Sequence, residues 1–307
     1  MGTAMLPDDA QLAIEHKYSR KKIDGYIRKE IEDSPEIMSA ISKGVELLDS
    51  WLNKTYYESK QLRLDEIKPM NLHELIFDIV VSISYHYDGS IYTNVAAQAA
   101  TRLHMSDTGP AIHTMSEIIA LLSELDLWDI YRQGPNNSIY LKSRIRFENQ
   151  LMEFIANSSY LPPMVCKPQK VTSNYSSAYM TFDESVILNN KHHEDPVSLD
   201  TINIQNNIAL SINTDFLYSI DEIPTKEITS LETQKAWDKK LSDSRDFYAL
   251  MLQQGNKFYF DHRYDARGRM YCKGYHISYQ STPYKKAMLD FHEKEAISVP
   301  DWAKSET

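Results

Sequence analysis

One stretch divides this chain before anything else is read. Tyr160-Leu161-Pro162-Pro163-Met164-Val165-Cys166-Lys167-Pro168 carries three prolines in nine residues. Proline has no amide proton to give a helix and biases its predecessor toward extended backbone, so this stretch cannot be helical. It marks a domain boundary. Residues 1–158 are expected to form a helical domain with a small hairpin, and residues 159–307 a second domain. A length of 307 residues also favours two domains over one. The fold class expected is α+β, mostly helical.

Before the boundary, apolar residues recur at helical spacing. Gln11 to Ile31 reads as one helix with Leu12, Ile14, Ile23, Ile27 and Ile31 among basic residues. Ser34-Pro35-Glu36 supplies a cap, a first-turn proline and a first-turn acid for a second helix, with Ile37, Met38, Ile41, Val45, Leu48 and Trp51 on its apolar face. Asn71 caps a third helix over 72–85, a fourth covers 92–105, and Gly109-Pro110 opens a fifth that ends near Trp128. Ile130-Tyr131-Arg132, Gly134-Pro135-Asn136-Asn137 and Ser138-Ile139-Tyr140-Leu141 then read as strand, turn, strand. A helix feeding a hairpin resembles a winged helix, an arrangement that often binds DNA, but any α+β domain can contain the pair. A further helix is expected over 146–156. After the boundary come a short strand pair within 178–188, long helices over 199–220 and 231–254, strands at 257–261 and 270–276, and a closing helix over 284–292.

Several classes are excluded by composition. Twenty Tyr, nine Phe, twelve Met and four Trp provide core enough to exclude disorder for most of the chain. The most apolar run, Leu75 to Ile83, is interrupted by Asp78 and is far short of the ~20 residues a bilayer needs. The opening residues lack the cationic and apolar regions of a secretory signal, and Leu6 stands where myristoylation needs Ser or Thr. Cys166 and Cys272 are far apart and match no metal spacing, which points to a reducing, cytosolic setting. His192-His193-Glu194-Asp195 is expected in a solvent-exposed polar loop, and His262 and His276 are expected to pack or touch phosphate.

The formal charge is −10, a poor match to a nonspecific nucleic-acid binder as a whole. The window from Lys257 to Lys286 departs from it. It holds seven basic residues, Lys257, Arg263, Arg267, Arg269, Lys273, Lys285 and Lys286, against Asp261 and Asp265. It also holds six tyrosines. Cations neutralise phosphates and aromatic faces accept stacked bases. Inside it lies Asp265-Ala266-Arg267-Gly268-Arg269-Met270-Tyr271. Gly268 permits a sharp bend or a close backbone approach. Arg269 offers a permanently charged bidentate fork for phosphate, and Asp265 can hold a neighbouring guanidinium in place.

This Asp-x-x-Gly-Arg motif, with Phe258-Tyr259-Phe260 before it, Tyr271 after it and Lys286-Ala287-Met288-Leu289 beyond, resembles the single-subunit RNA polymerases of phages and mitochondria. The likeness extends backwards. Tyr160 to Pro168 is similar to the family's entry into the polymerase core. Ile204-Gln205-Asn206-Asn207 with Ile212-Asn213 is similar to an Asn/Gln-rich helix, though Asn207 stands where Thr is usual. Ala236-Trp237 resembles the start of a short thumb, and Met115 to Leu141 the helix and hairpin closing the N-terminal domain. The resemblance implies a thumb-like region and the first strands of a right-hand palm within 159–307. It assigns nucleic-acid contacts to Arg269, Arg267, Gly268, Asp265, Tyr271, Lys286, Lys285 and Lys273.

One departure shapes the expected function. The family's two metal-binding aspartates follow this motif in chain order. The 38 residues after Arg269 contain neither metal motif, and Asp88-Gly89-Ser90 is better read as a turn. The chain therefore resembles the smaller half of a split family member, the two-polypeptide N-four type of coliphage. The implied activity is DNA-directed RNA synthesis in an infected bacterial cytoplasm, with this chain inactive alone. Mg²⁺ would be held by a larger partner subunit carrying the fingers and most of the palm. DNA template, nascent RNA and ribonucleoside triphosphates are the other partners expected. A promoter-recruiting protein is a hypothesis drawn from the negative charge. A palm divided between chains should leave open strand edges and an obligate interface above ~2,000 Å². The rival class is a noncatalytic DNA-binding regulator using the segment 111–141.

Overall fold

The computed structural model describes residues 6–134, 136–158, 160–189 and 191–295. The opening Met1–Met5, Pro135 of the hairpin turn and the residues from 296 onward lie outside these. The fold is α+β and about half helical, with small antiparallel sheets. The chain divides into two compact units: Arg20–Asn157, and one joining the residues up to Ser19 to those from Ser158 onward.

The helix expected over Gln11 to Ile31 breaks at Ser19, whose backbone is extended, into α1 (Pro7–Tyr18) and α2 (Arg20–Glu32). The two pieces serve different cores. Buried Gln11 accepts from the Val165 amide at 2.9 Å, and buried Glu15 accepts from the Met180 and Thr181 amides at 3.0 and 2.9 Å. Ile23, Ile27 and Ile31 instead enter the core of the Arg20–Asn157 unit. So α1 counts with the later residues rather than with the expected N-terminal domain.

Within Arg20–Asn157, α2 is followed by α3 (Pro35–Leu52), α4 (Glu58–Asp65), α5 (Leu72–Ser84), β1 (Ser90–Ile91), α6 (Tyr92–Ala99), α7 (Thr108–Leu121), β2 (Trp128–Gln133), β3 (Ser138–Ser143) and α8 (Asn149–Asn157). The caps read from sequence form: Ser34 Oγ accepts from the Ile37 amide, and Asn71 Oδ1 from those of His73 and Glu74. The expected fourth helix tightens to a 3₁₀ turn over Ala100–Leu103. The sheet order is β1-β3-β2, all antiparallel, with Ile130 opposite Leu141 and Ser90 opposite Leu141 on the far side. Asp88-Gly89 is a turn. Gly89 has φ +96°, and a Cβ there would lie 2.5 Å from the Tyr131 hydroxyl.

The second unit adds α9 (Leu199–Asn206), β4 (Leu210–Ile212), α10 (Thr214–Ser219), α11 (Leu231–Gln253), β5 (His262–Tyr264), β6 (Met270–Cys272), α12 (Pro283–Ala287) and β7 (Leu289–Phe291). Two expected helices are corrected. The 199–220 stretch is helix, strand, helix, because Asn256 pairs its side-chain amide with both backbone groups of Ile212 and Asn213 caps a new helix through the Phe216 amide. The 284–292 stretch ends its helix at Ala287 and becomes β7, paired to β4. The 178–188 segment forms isolated bridges rather than a strand pair, one joining Ile187 to Tyr264. The run Phe258-Tyr259-Phe260 makes single bridges to Leu210 and Met164, and its phenylalanines are fully buried. Among the described residues no helix is long and apolar enough to cross a membrane.

Candidate nucleic-acid interface

Strands β5 and β6 are the two arms of a hairpin with His262 opposite Cys272 and Tyr264 opposite Met270. The Asp-x-x-Gly-Arg residues are its turn. Gly268 has φ +76°, the left-handed region, with open space around the missing Cβ, so the bend rather than a close approach requires glycine. The turn closes by Asp265 N–H to Arg269 O at 2.8 Å and Gly268 N–H to Asp265 O at 2.9 Å.

The Asp265 carboxylate organises everything beyond it. Oδ1 accepts from the amides of Arg267 and Arg269 at 2.9 and 3.0 Å. Oδ2 accepts from Arg269 Nε and Nη2 at 2.9 and 2.8 Å, and from Arg267 Nε and Nη2 at 3.3 and 3.1 Å. Desolvation raises the Asp265 pKa, but the bonds from Arg269 outweigh it and hold the carboxyl below its usual range. The bond to Asp265 raises the pKa of Arg269 in return. The Asp265 side chain is 11% exposed, whereas those of Arg267 and Arg269 are 71% and 54% exposed. Two guanidiniums thus share one anchoring carboxylate and keep their outer surfaces in water, leaving a local excess of one positive charge. Arg269 also lies 5.7 Å from the Tyr271 ring centroid.

A partly buried ionic network holds the hairpin's base. Arg263 donates to Asp261 Oδ2 through Nε and Nη2 at 3.0 and 2.8 Å, and to Glu184. Lys273 reaches the same Glu184 oxygen at 2.6 Å and lies 4.9 Å from the Tyr179 ring centroid. Burial raises the Glu184 pKa, but its bonds to Arg263 and Lys273 win and lower it overall. Burial, then repulsion from Arg263, lowers that of Lys273. His262 bridges Asn206 Oδ1 at 2.7 Å and the Tyr279 hydroxyl at 2.5 Å. The Gln280 side chain covers the outer edge of β6, accepting from Cys272 N–H at 2.7 Å and donating to Met270 O at 3.1 Å. The side chain thus satisfies two outward-facing backbone groups of this strand.

The eight residues singled out from sequence therefore separate. Asp265, Arg267, Gly268, Arg269 and Tyr271 come together at the turn. Lys286 is exposed on α12. Lys273 is committed to Glu184, and Lys285 is buried with its ammonium donating to Tyr275 O. His262 and His276 are buried and pack; burial lowers both to about 4. The His192–Asp195 loop is exposed. Glu184 and Gln280 escape sequence reasoning, since nothing in their local pattern announces the partners that folding brings to them, and Asn206, quoted above for the family likeness, meets His262 only in the fold. Among the described residues no group of three or more His, Cys, Asp or Glu is placed to hold a metal ion.

No protein-family model matches this chain, and no curated protein matches it.

Proposed function

We propose that the chain is a subunit of a DNA-directed RNA polymerase, supplying a phosphate grip beside an active site completed by a second polypeptide. The observation that carries the proposal is the Asp265 turn, with the family-like residues around it. A guanidinium already fixed by a carboxylate loses little conformational freedom when it takes a phosphate, and its fork matches two phosphate oxygens. Arg269 and Arg267 would hold template or nascent-RNA phosphates, with Tyr271 packing beside them and Lys286 adding positive potential. In this reading the role of this chain is binding and orientation, and Mg²⁺ belongs to the partner. The larger subunit, with fingers and most of the palm, would hold the ion. The test is co-expression with the neighbouring reading frame, then templated ribonucleotide incorporation on primed single-stranded DNA. A stable complex that extends supports the proposal; a stable complex without templated incorporation contradicts it.

One observation favours the second reading, a noncatalytic DNA-binding regulator. Helix α5, strand β1, helices α6 and α7, then hairpin β2–β3 with strand order β1-β3-β2, is the succession of a winged helix. Against it, α4 covers part of α7: Lys60 pairs with Glu117 at 3.0 Å and Arg63 donates to Thr114 at 2.5 Å. This reading requires sequence-specific duplex binding by the chain alone that is insensitive to Arg269→Ala.

A further inference from the structure

Away from the Asp265 turn, Tyr160 and Tyr275 form a second aromatic feature. Their ring centroids are 3.8 Å apart and their planes differ by 5°. Both stay in part open to solvent, at 37% and 42% exposed. His276 stands edge-on to both rings, with centroids at 5.0 and 4.9 Å. His276 is itself stacked on Phe247 at 4.7 Å and tied through Nδ1 to Ser244 Oγ at 2.8 Å. The buried Lys285 ammonium lies 4.9 Å from the Tyr275 centroid.

Two further facts bear on what such a pair could hold. Lys240 pairs with Glu222 and Lys239 with Asp243, each at 3.0 Å, which leaves the Lys285 ammonium as the uncompensated charge beside the Tyr275 ring. A small void is walled by Tyr160, Pro163, Phe247, Tyr275 and His276. His276 lines that void, is 4% exposed, and its Nε2 has no hydrogen-bond partner among the described residues. A partly open π surface beside the Lys285 ammonium suits a flat aromatic ring carried on a polyanionic strand.

We infer that Tyr160 and Tyr275 form a stacking platform for an unpaired base of a single-stranded nucleic acid. The inference rests on the polymerase reading for its choice of ligand, and it assigns that ligand a contact outside the Asp265 turn. Stacking is tolerant of base identity, so the platform would hold a strand without reading its sequence.

The test uses the full chain and a short single-stranded DNA containing 2-aminopurine, whose fluorescence falls when the base stacks on an aromatic ring. Binding with quenching is expected for the wild type. Tyr160→Leu and Tyr275→Leu should each weaken binding by about tenfold and remove the quenching. Tyr160→Phe should keep both, and this variant guards against a merely misfolded leucine variant. Arg269→Ala should weaken binding while leaving quenching at saturation intact. Wild-type quenching and affinity in Tyr160→Leu, with binding lost in Arg269→Ala, would overturn the platform and leave the polymerase reading standing. Failure of the wild-type chain to bind any single strand would overturn the platform outright.

Discussion

Arg269 donates to the Asp265 carboxylate through Nε and Nη2 at 2.9 and 2.8 Å, yet more than half of its side chain stays in contact with solvent. A pair held this way is poised rather than saturated. The carboxylate fixes one edge of the guanidinium and leaves the rest for another acceptor. Since the same carboxylate also takes Arg267, the turn carries two aligned forks on one anchor.

Removing the anchor should therefore weaken the grip without removing its charge. Asp265→Ala raises the local net charge, and simple electrostatics would strengthen nucleic-acid binding. The geometry argues the reverse, a loss of several-fold up to about tenfold, because both forks lose their orientation. Anisotropy of a labelled single strand measures it. Tighter binding by Asp265→Ala would show that the carboxylate merely competes with phosphate.

The Glu184 network should be expensive to break. Glu184→Gln leaves Lys273 without its ion-pair partner and Arg263 with only Asp261. Glu184 and Lys273 keep 25% and 34% of their side chains exposed, so the loss should be about 1.5–3 kcal/mol. The exposed pair Lys239–Asp243, at 3.0 Å, should contribute about 0.5 kcal/mol or less. Urea unfolding of Glu184→Gln beside Lys239→Ala reads both, and equal costs would contradict the assignment.

Stability should fall in mild acid. His86, His262 and His276 are each lowered to about 4 from 6.5, in every case chiefly by burial. Between those values the unfolded chain binds protons that the folded chain refuses. Stability is thus full above about pH 6.5 and is lost as pH falls toward about 4. Glu184, lowered in the fold, adds a further loss at still lower pH. The denaturation midpoint followed through this range should drop progressively, and His262→Gln should flatten the drop. A flat wild-type profile would contradict the buried neutral imidazoles.

Helix α1 should be an integral part of the second unit. Glu15 accepts from the Met180 and Thr181 amides and, at 2.6 Å, from the Thr181 hydroxyl. Glu15→Ala strands these donors, each a loss of about 1–3 kcal/mol if water does not reach it. Hydrogen exchange at Met180 and Thr181 should accelerate well beyond that at Ile79. Unchanged protection would mean the loop holds itself.

Local signals in the sequence were reliable where a single residue decides the backbone. Ser34, Asn71 and Gly268 do in the structure what their side chains, or the lack of one, dictate. The hairpin at Ile130 to Leu141 and the non-helical backbone from Tyr160 to Pro168 belong to the same class. Misreadings arose where distant partners decide. Helical spacing across Ser19 hid a break, because residues on either side serve different cores. Apolar residues at 210–212 look helical until Asn256 claims the Ile212 backbone. At the candidate site, charge counting found Arg267 and Arg269 but could not separate them from Lys273 and Lys285. Only the packing of Glu184 and Tyr275 turns those two lysines to other contacts.

The most direct measurement is templated RNA extension by the chain co-purified with its partner polypeptide, comparing wild type with Arg269→Ala and Arg269→Lys. Extension by the wild-type complex is expected to fall by about tenfold or more in Arg269→Ala, with incomplete rescue by lysine, which has charge but no fork. Full activity in Arg269→Ala would contradict the phosphate grip assigned to this turn.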